Sequence, residues 1–70
     1  MIDLRKVAKG DKVIDSINEE YIVLRKNKDS VTVYDMQDSS SYPIPKDYFK
    51  KHGRKIIKEW AYGTKYEKYL

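Results

Sequence analysis

The sequence predicts an all-β domain: a small five-stranded barrel with one short helical turn near residues 46–52. Three observations carry that expectation. Tyr21–Lys26 and Val31–Met36 both read with a period of two across the polar link Asn27-Lys28-Asp29, Ile22 and Leu24 on one face of the first and Val31 and Val33 on one face of the second, the pattern of an antiparallel hairpin with one buried face. Lys9-Gly10-Asp11-Lys12-Val13 sets a turn ahead of a first strand. Ile44-Pro45-Lys46-Asp47-Tyr48-Phe49 opens a helical turn from a proline.

Taken in order, residues 1–8 form an extension in which Ile2, Leu4 and Val7 share one side of a short helical turn or an irregular strand. Gly10-Asp11 turns the chain, because glycine accepts positive φ and aspartate bonds its own backbone. Lys12–Ile17 is β-branched and apolar enough for a first strand, and Asn18-Glu19 ends it. The inward set is expected to be Val13, Ile17, Ile22, Leu24, Val31 and Val33, closed by Ile44, Phe49 and Ile56. Tyr21, Val23, Arg25 and Tyr34 then fall on the opposite face. Met36–Tyr42 is a polar connection. Pro43 and Pro45 lack backbone donors, so their segment is extended and excluded from the middle of a sheet. Lys46–His52 is the helical turn, with Gly53 as its stop, and Arg54–Trp60 is the last strand. Ala61–Leu70 is an extension that packs as a short helix or lies loose. The whole of 1–70 is read as one domain, with the barrel at about 9–60.

Composition narrows the function. There is no cysteine, hence no disulfide framework and no thiolate metal site. The N-terminus has no apolar signal-peptide core, and no apolar run approaches the roughly 20 residues of a membrane span. A cytoplasmic protein without membrane contact is expected. His52 is the only histidine and sits beside Lys50-Lys51, as a solvated surface residue would. Neither a nucleophile elbow nor a calcium-loop spacing nor a glycine-rich phosphate loop is present. The chain is therefore expected to be a binding module and not an enzyme, with no metal and no cofactor.

Charge and aromatic rings supply the remaining signal. Residues 1–45 hold seven Lys/Arg against eight Asp/Glu, whereas residues 46–70 hold eight against three, a local net of +5. Such a segment is either a solvated face or an attractor of polyanions and acidic surfaces. Lys50, Lys51, Arg54, Lys55 and Lys58 run beside Tyr48 and Trp60, and Tyr21 and Tyr34 fall on neighbouring strands. Cations interleaved with rings suit single-stranded nucleic acid, where charge tracks phosphate and rings stack on bases. The same mixture suits an acidic protein surface. The expected ligand-binding set is therefore Lys50, Lys51, Arg54, Lys55, Lys58, Trp60, Tyr48, Tyr34 and Tyr21. The expected partner is nucleic acid or a nucleoprotein. The alternative is a protein-interaction module, a small inhibitor or adaptor docking on a larger protein.

Gly10-Asp11-Lys12-Val13 followed by a twisted hairpin resembles the opening of SH3-like barrels, a class that includes the KOW-type modules of ribosomal and transcription proteins. Pro45-Lys46-Asp47-Tyr48 is similar to the Pro-x-x-Tyr element that ends eukaryotic-type SH3 domains. There the matching proline and tyrosine help line a groove for proline-rich peptides, and the resemblance puts Pro45 and Tyr48 in that place. It covers roughly residues 9–60. The aromatic-rich N-terminal motif of the peptide-binding members is absent, and the sole tryptophan, Trp60, lies near the C-terminus. The resemblance therefore implies a fold, which by itself fixes no function.

Overall fold

A computed structural model describes all 70 residues. Five antiparallel strands form one sheet: β1 (Lys12–Asp15), β2 (Glu20–Lys26), β3 (Ser30–Asp35), β4 (Ser40–Pro45) and β5 (Gly53–Ile57), in the order β4-β3-β2-β1-β5. A helix, α1 (Lys46–His52), joins β4 to β5, and short 3₁₀ turns occupy Leu4–Lys6 and Lys65–Tyr69. The expected barrel closure is absent. β4 and β5 lie at opposite edges with α1 carrying the chain between them, and β4 lacks donors at Pro43 and Pro45.

Local chemistry explains where the elements begin and end. Pro45, with φ −55°, presets the start of α1. Gly53 follows with an ordinary φ of −64°, so the helix does not stop in a left-handed cap. Glycine is required there by space: a Cβ would lie 2.6 Å from both Ile2 Cδ1 and the Phe49 carbonyl oxygen. Gly10 answers to a different constraint, with φ +94° and the Tyr62 ring packed over its Cα.

The sheet buries apolar side chains on both faces. The main core holds Val7, Val13, Tyr21, Val23, Val31, Val33, Ile44 and Phe49, with Ile2, Leu4, Tyr42 and Ile56 packed around it. The second face holds Ile22, Tyr34 and Ala61, covered by Leu24, Met36, Trp60, Tyr66 and Leu70. Val13, Val31, Val33, Ile44, Phe49 and Ile56 are thus where the pattern put them. β2 is turned over: Tyr21 and Val23 enter the main core, while Ile22 and Leu24 face the other way. The register between β2 and β3 jumps from Val23↔Val33 to Arg25↔Thr32, a bulge that leaves Leu24 unpaired.

Three further expectations change. Ile17 is 66% exposed, because β1 ends at Asp15 and the chain turns. β3 ends at Asp35, leaving Met36 outside the strand. β5 ends at Ile57, so Trp60 lies in the following turn, on the second face and not beside Ile56. That turn includes Glu59 at φ +53°.

The C-terminal segment is a strap over the second face. Tyr69 stacks on Tyr34 with centroids 4.3 Å apart, and Tyr66 packs against both Tyr34 and Trp60. Lys12 passes beneath Trp60, its ammonium 4.2 Å from the ring and paired with Glu20.

These placements predict unequal costs. Val23→Asp should abolish cooperative unfolding in a thermal melt, since a lone buried carboxylate costs several kcal/mol in a domain with little to spare. Leu24→Asp, at the half-buried bulge, should keep a cooperative melt at lower temperature. Ending the chain at Gly63 should remove about 2 kcal/mol from the half-buried Tyr66 and Leu70, a fall in Tm of about 8–16 °C.

Candidate functional site

Three aspartates are almost wholly buried, Asp11 and Asp15 at 0% and Asp35 at 2% exposure. A buried carboxylate needs donors, and turns provide them. Asp15 Oδ1 accepts the N–H groups of Ile17 and Glu19, both at 3.0 Å, which folds the β1–β2 turn around it. Asp35 Oδ1 accepts the N–H groups of Gln37 and Asp38 and the Gln37 side-chain amide, folding the β3–β4 turn in the same way. Since Asp35 is the cross-strand partner of Tyr21, both turns lie at one end of the sheet.

Phenols complete these carboxylates. Tyr42 donates to Asp35 Oδ2. The Tyr21 hydroxyl lies 2.6 Å from Glu19 Oε2 and 3.2 Å from Asp15 Oδ2, and Tyr48 reaches Asp15 Oδ2 at 3.5 Å. Burial pushes all three phenols above their ordinary pKa, and the neighbouring carboxylates push the same way. They stay protonated donors. Burial also pushes the Asp35 carboxyl up, but the Tyr42 hydroxyl and the N–H groups of Asp38 and Gln37 outweigh it and hold it below its usual range.

The same rings wall a groove. Tyr21, Tyr42, Pro43, Ile44, Pro45 and Tyr48 line a cleft of ≈ 310 Å³, bringing β2, β4 and the start of α1 to one surface. Tyr48, 37% exposed, is its outer wall and packs against His52 at 4.7 Å. The ion pairs of the molecule are Arg5–Asp3, Lys12–Glu20 and Lys58–Asp11. Asp15, Glu19 and Asp35, the carboxylates bonded to the groove's phenols, therefore have no cation within 4.0 Å.

A second, larger cleft of ≈ 370 Å³ is lined by Ala8, Lys9, Asp11, Lys58, Glu59 and Tyr62. Its one buried charge is already saturated: Asp11 accepts from the Ala8 and Glu59 N–H groups and from the Lys58 ammonium. That cleft is a by-product of the ties holding the β5–tail turn to the sheet. No three His, Cys, Asp or Glu side chains are grouped to hold a metal ion.

The expected site residues are not brought together. Tyr21 is 3% exposed, its ring edge-on to Phe49 in the main core and its hydroxyl spent on carboxylates. Tyr34 is buried under the strap, and Trp60 is half-buried over Lys12. Lys58 is tied to Asp11 and to the Lys6 carbonyl. Lys50, Lys51, Arg54 and Lys55 are exposed at the end of α1 and the start of β5. Tyr48 and Pro45 do share a surface, the groove. Missing from the expected set are Tyr42, Pro43 and Ile44. Their signal lay in the run Tyr42-Pro43-Ile44-Pro45, where alternate residues of a donor-poor edge strand face one way.

Comparison with protein-family models, curated proteins and solved structures returns no match for this chain.

The Asp35 geometry predicts an acid-sensitive turn. A carboxyl whose folded pKa lies below its unfolded value stabilises the fold at pH above the unfolded value, near 3.9, and loses that contribution as pH falls through the folded value. Tyr42→Phe deletes one donor and raises the folded value. Acid titration followed by circular dichroism should place the variant's unfolding midpoint at higher pH than the wild type's. The gap in stability between the two should be widest near neutral pH and close as Asp35 protonates.

Proposed function

We propose that this protein is a small non-enzymatic interaction module, built on an SH3-like plan, that docks an extended segment of a larger protein in the Tyr42–Tyr48 groove. One observation carries the proposal: a ring-walled apolar cleft whose tyrosine hydroxyls are bonded to Asp15, Glu19 and Asp35, carboxylates that no cation pairs. Rigid tyrosine and proline surfaces offer contact area at low entropic cost, as interface hot spots do. The carboxylates favour a lysine or arginine on the incoming segment. Glu19 is the natural partner, since it is half-exposed while Asp15 is fully buried. At ≈ 310 Å³ the groove is at the small end of ligand pockets and suits a few side chains of an extended strand.

The SH3-like plan is supported by the strand order β4-β3-β2-β1-β5, by the helical turn between β4 and β5, and by Pro45 and Tyr48 lying on one groove. Glu19, half-exposed beside the Tyr21 hydroxyl, argues against nucleic acid at this site, where phosphate would meet carboxylate.

Selection of random heptapeptides displayed on phage tests the reading. Enriched sequences should pair a Lys or Arg with an apolar or proline residue. A synthetic peptide from that pool should shift the amide resonances of Tyr42, Ile44 and Tyr48. Tyr48→Ser should weaken it at least tenfold, and Glu19→Gln should weaken it mainly through its cation. An unenriched pool, or resonance shifts confined to other surfaces, would overturn the proposal.

A further inference from the structure

The last turn of α1 and the start of β5 present Lys50, Lys51, Arg54 and Lys55 to solvent. None of the four is in any of the molecule's ion pairs. Arg54 donates to the Asn18 side-chain oxygen, a neutral acceptor that orients the guanidinium without cancelling its charge. β5 is an edge strand, so Arg54 and Lys55, whose side chains alternate, flank an open rim of the sheet.

We propose that this α1–β5 corner is a second binding site, independent of the groove, that takes the phosphate backbone of nucleic acid by charge alone. Two facts separate it from the expected single-strand site. The rings that would stack on bases are engaged elsewhere: Tyr21 in the main core, Tyr34 under Tyr69, Trp60 over Lys12, and Tyr48 against His52 as the wall of the groove. And no aromatic pocket opens within the corner, as an anchored protein interface would need. What is left is four exposed cations without a carboxylate partner, which suit a lattice of phosphates and read no sequence.

Duplex DNA carries one charge per roughly 1.7 Å, about twice the linear density of an extended polyglutamate at roughly 3.4 Å per residue. Duplex should therefore be the preferred polyanion.

Fluorescence anisotropy of the full chain with labelled duplexes of unrelated sequence tests this. Affinities should agree within about twofold between sequences. With at most four phosphates engaged, log K against log salt should fall with a slope no steeper than about −3.6. Lys50→Glu with Lys55→Glu should cost at least tenfold at low salt, while the thermal melt and the binding of a groove-selected peptide stay unchanged. That peptide arm separates failure here from failure of the groove. The proposal is overturned if duplex does not bind at low salt, or if the double reversal leaves binding intact. It is equally overturned if affinity follows base identity, which would mean stacking, or if polyglutamate of equal charge displaces duplex at equal concentration, which would mean an acidic protein partner.

Discussion

Carboxylates buried at turns hold this small fold together. Asp15 ends β1 and gathers the next turn's amides; Asp35 does the same after β3; Asp11 ties the turn beyond β5 back to the start of β1. An ionised group in such a position is tolerated only when most of its lone pairs meet donors. Each turn must therefore close in one geometry. A chain this short buries little apolar area, and specific turns limit how loosely its thin sheet can be assembled. The groove is a consequence. Tyr21, Tyr42 and Tyr48 are drawn to the carboxylates by their hydroxyls, and their rings are left standing as its walls.

Much of this could be read from residue order. The hairpin strands followed from alternation, and α1 from Pro45 and Gly53, although Gly53 is required by the approach of Ile2 and the Phe49 carbonyl and not by a left-handed turn. The faces of β2 could not be read. Tyr21-Ile22-Val23-Leu24 is apolar on both sides, so a period of two cannot say which side is the main core, and a one-residue bulge removes what little phase remained. The sequence also concealed the strap. The tail could be read as a short helix or a loose end, and it forms a 3₁₀ turn, but nothing in Tyr66, Tyr69 and Leu70 says what they cover until a second apolar face is known.

The site was legible only in pieces. Proline and tyrosine in Pro45-x-x-Tyr48 pointed to a groove, but its other walls come from β2 and β4, far apart in sequence. The basic residues divided once folded. Lys58 became internal wiring for Asp11, whereas Lys50, Lys51, Arg54 and Lys55 pair with no carboxylate. Counting charge along a sequence cannot distinguish a cation that meets a carboxylate from one that meets water.

The unclosed sheet has two rims, and they are guarded by different means. Along β4, Pro43 and Pro45 remove two amide donors from the outer strand, so another chain finds an incomplete ladder to extend. Along β5 no donor is missing, and the only deterrent is the pair of charges at Arg54 and Lys55. One guard is covalent and indifferent to solution conditions. The other is electrostatic and weakens as salt rises or as an anion settles on it. Resistance to edge-to-edge association is therefore permanent on one side of this molecule and conditional on the other.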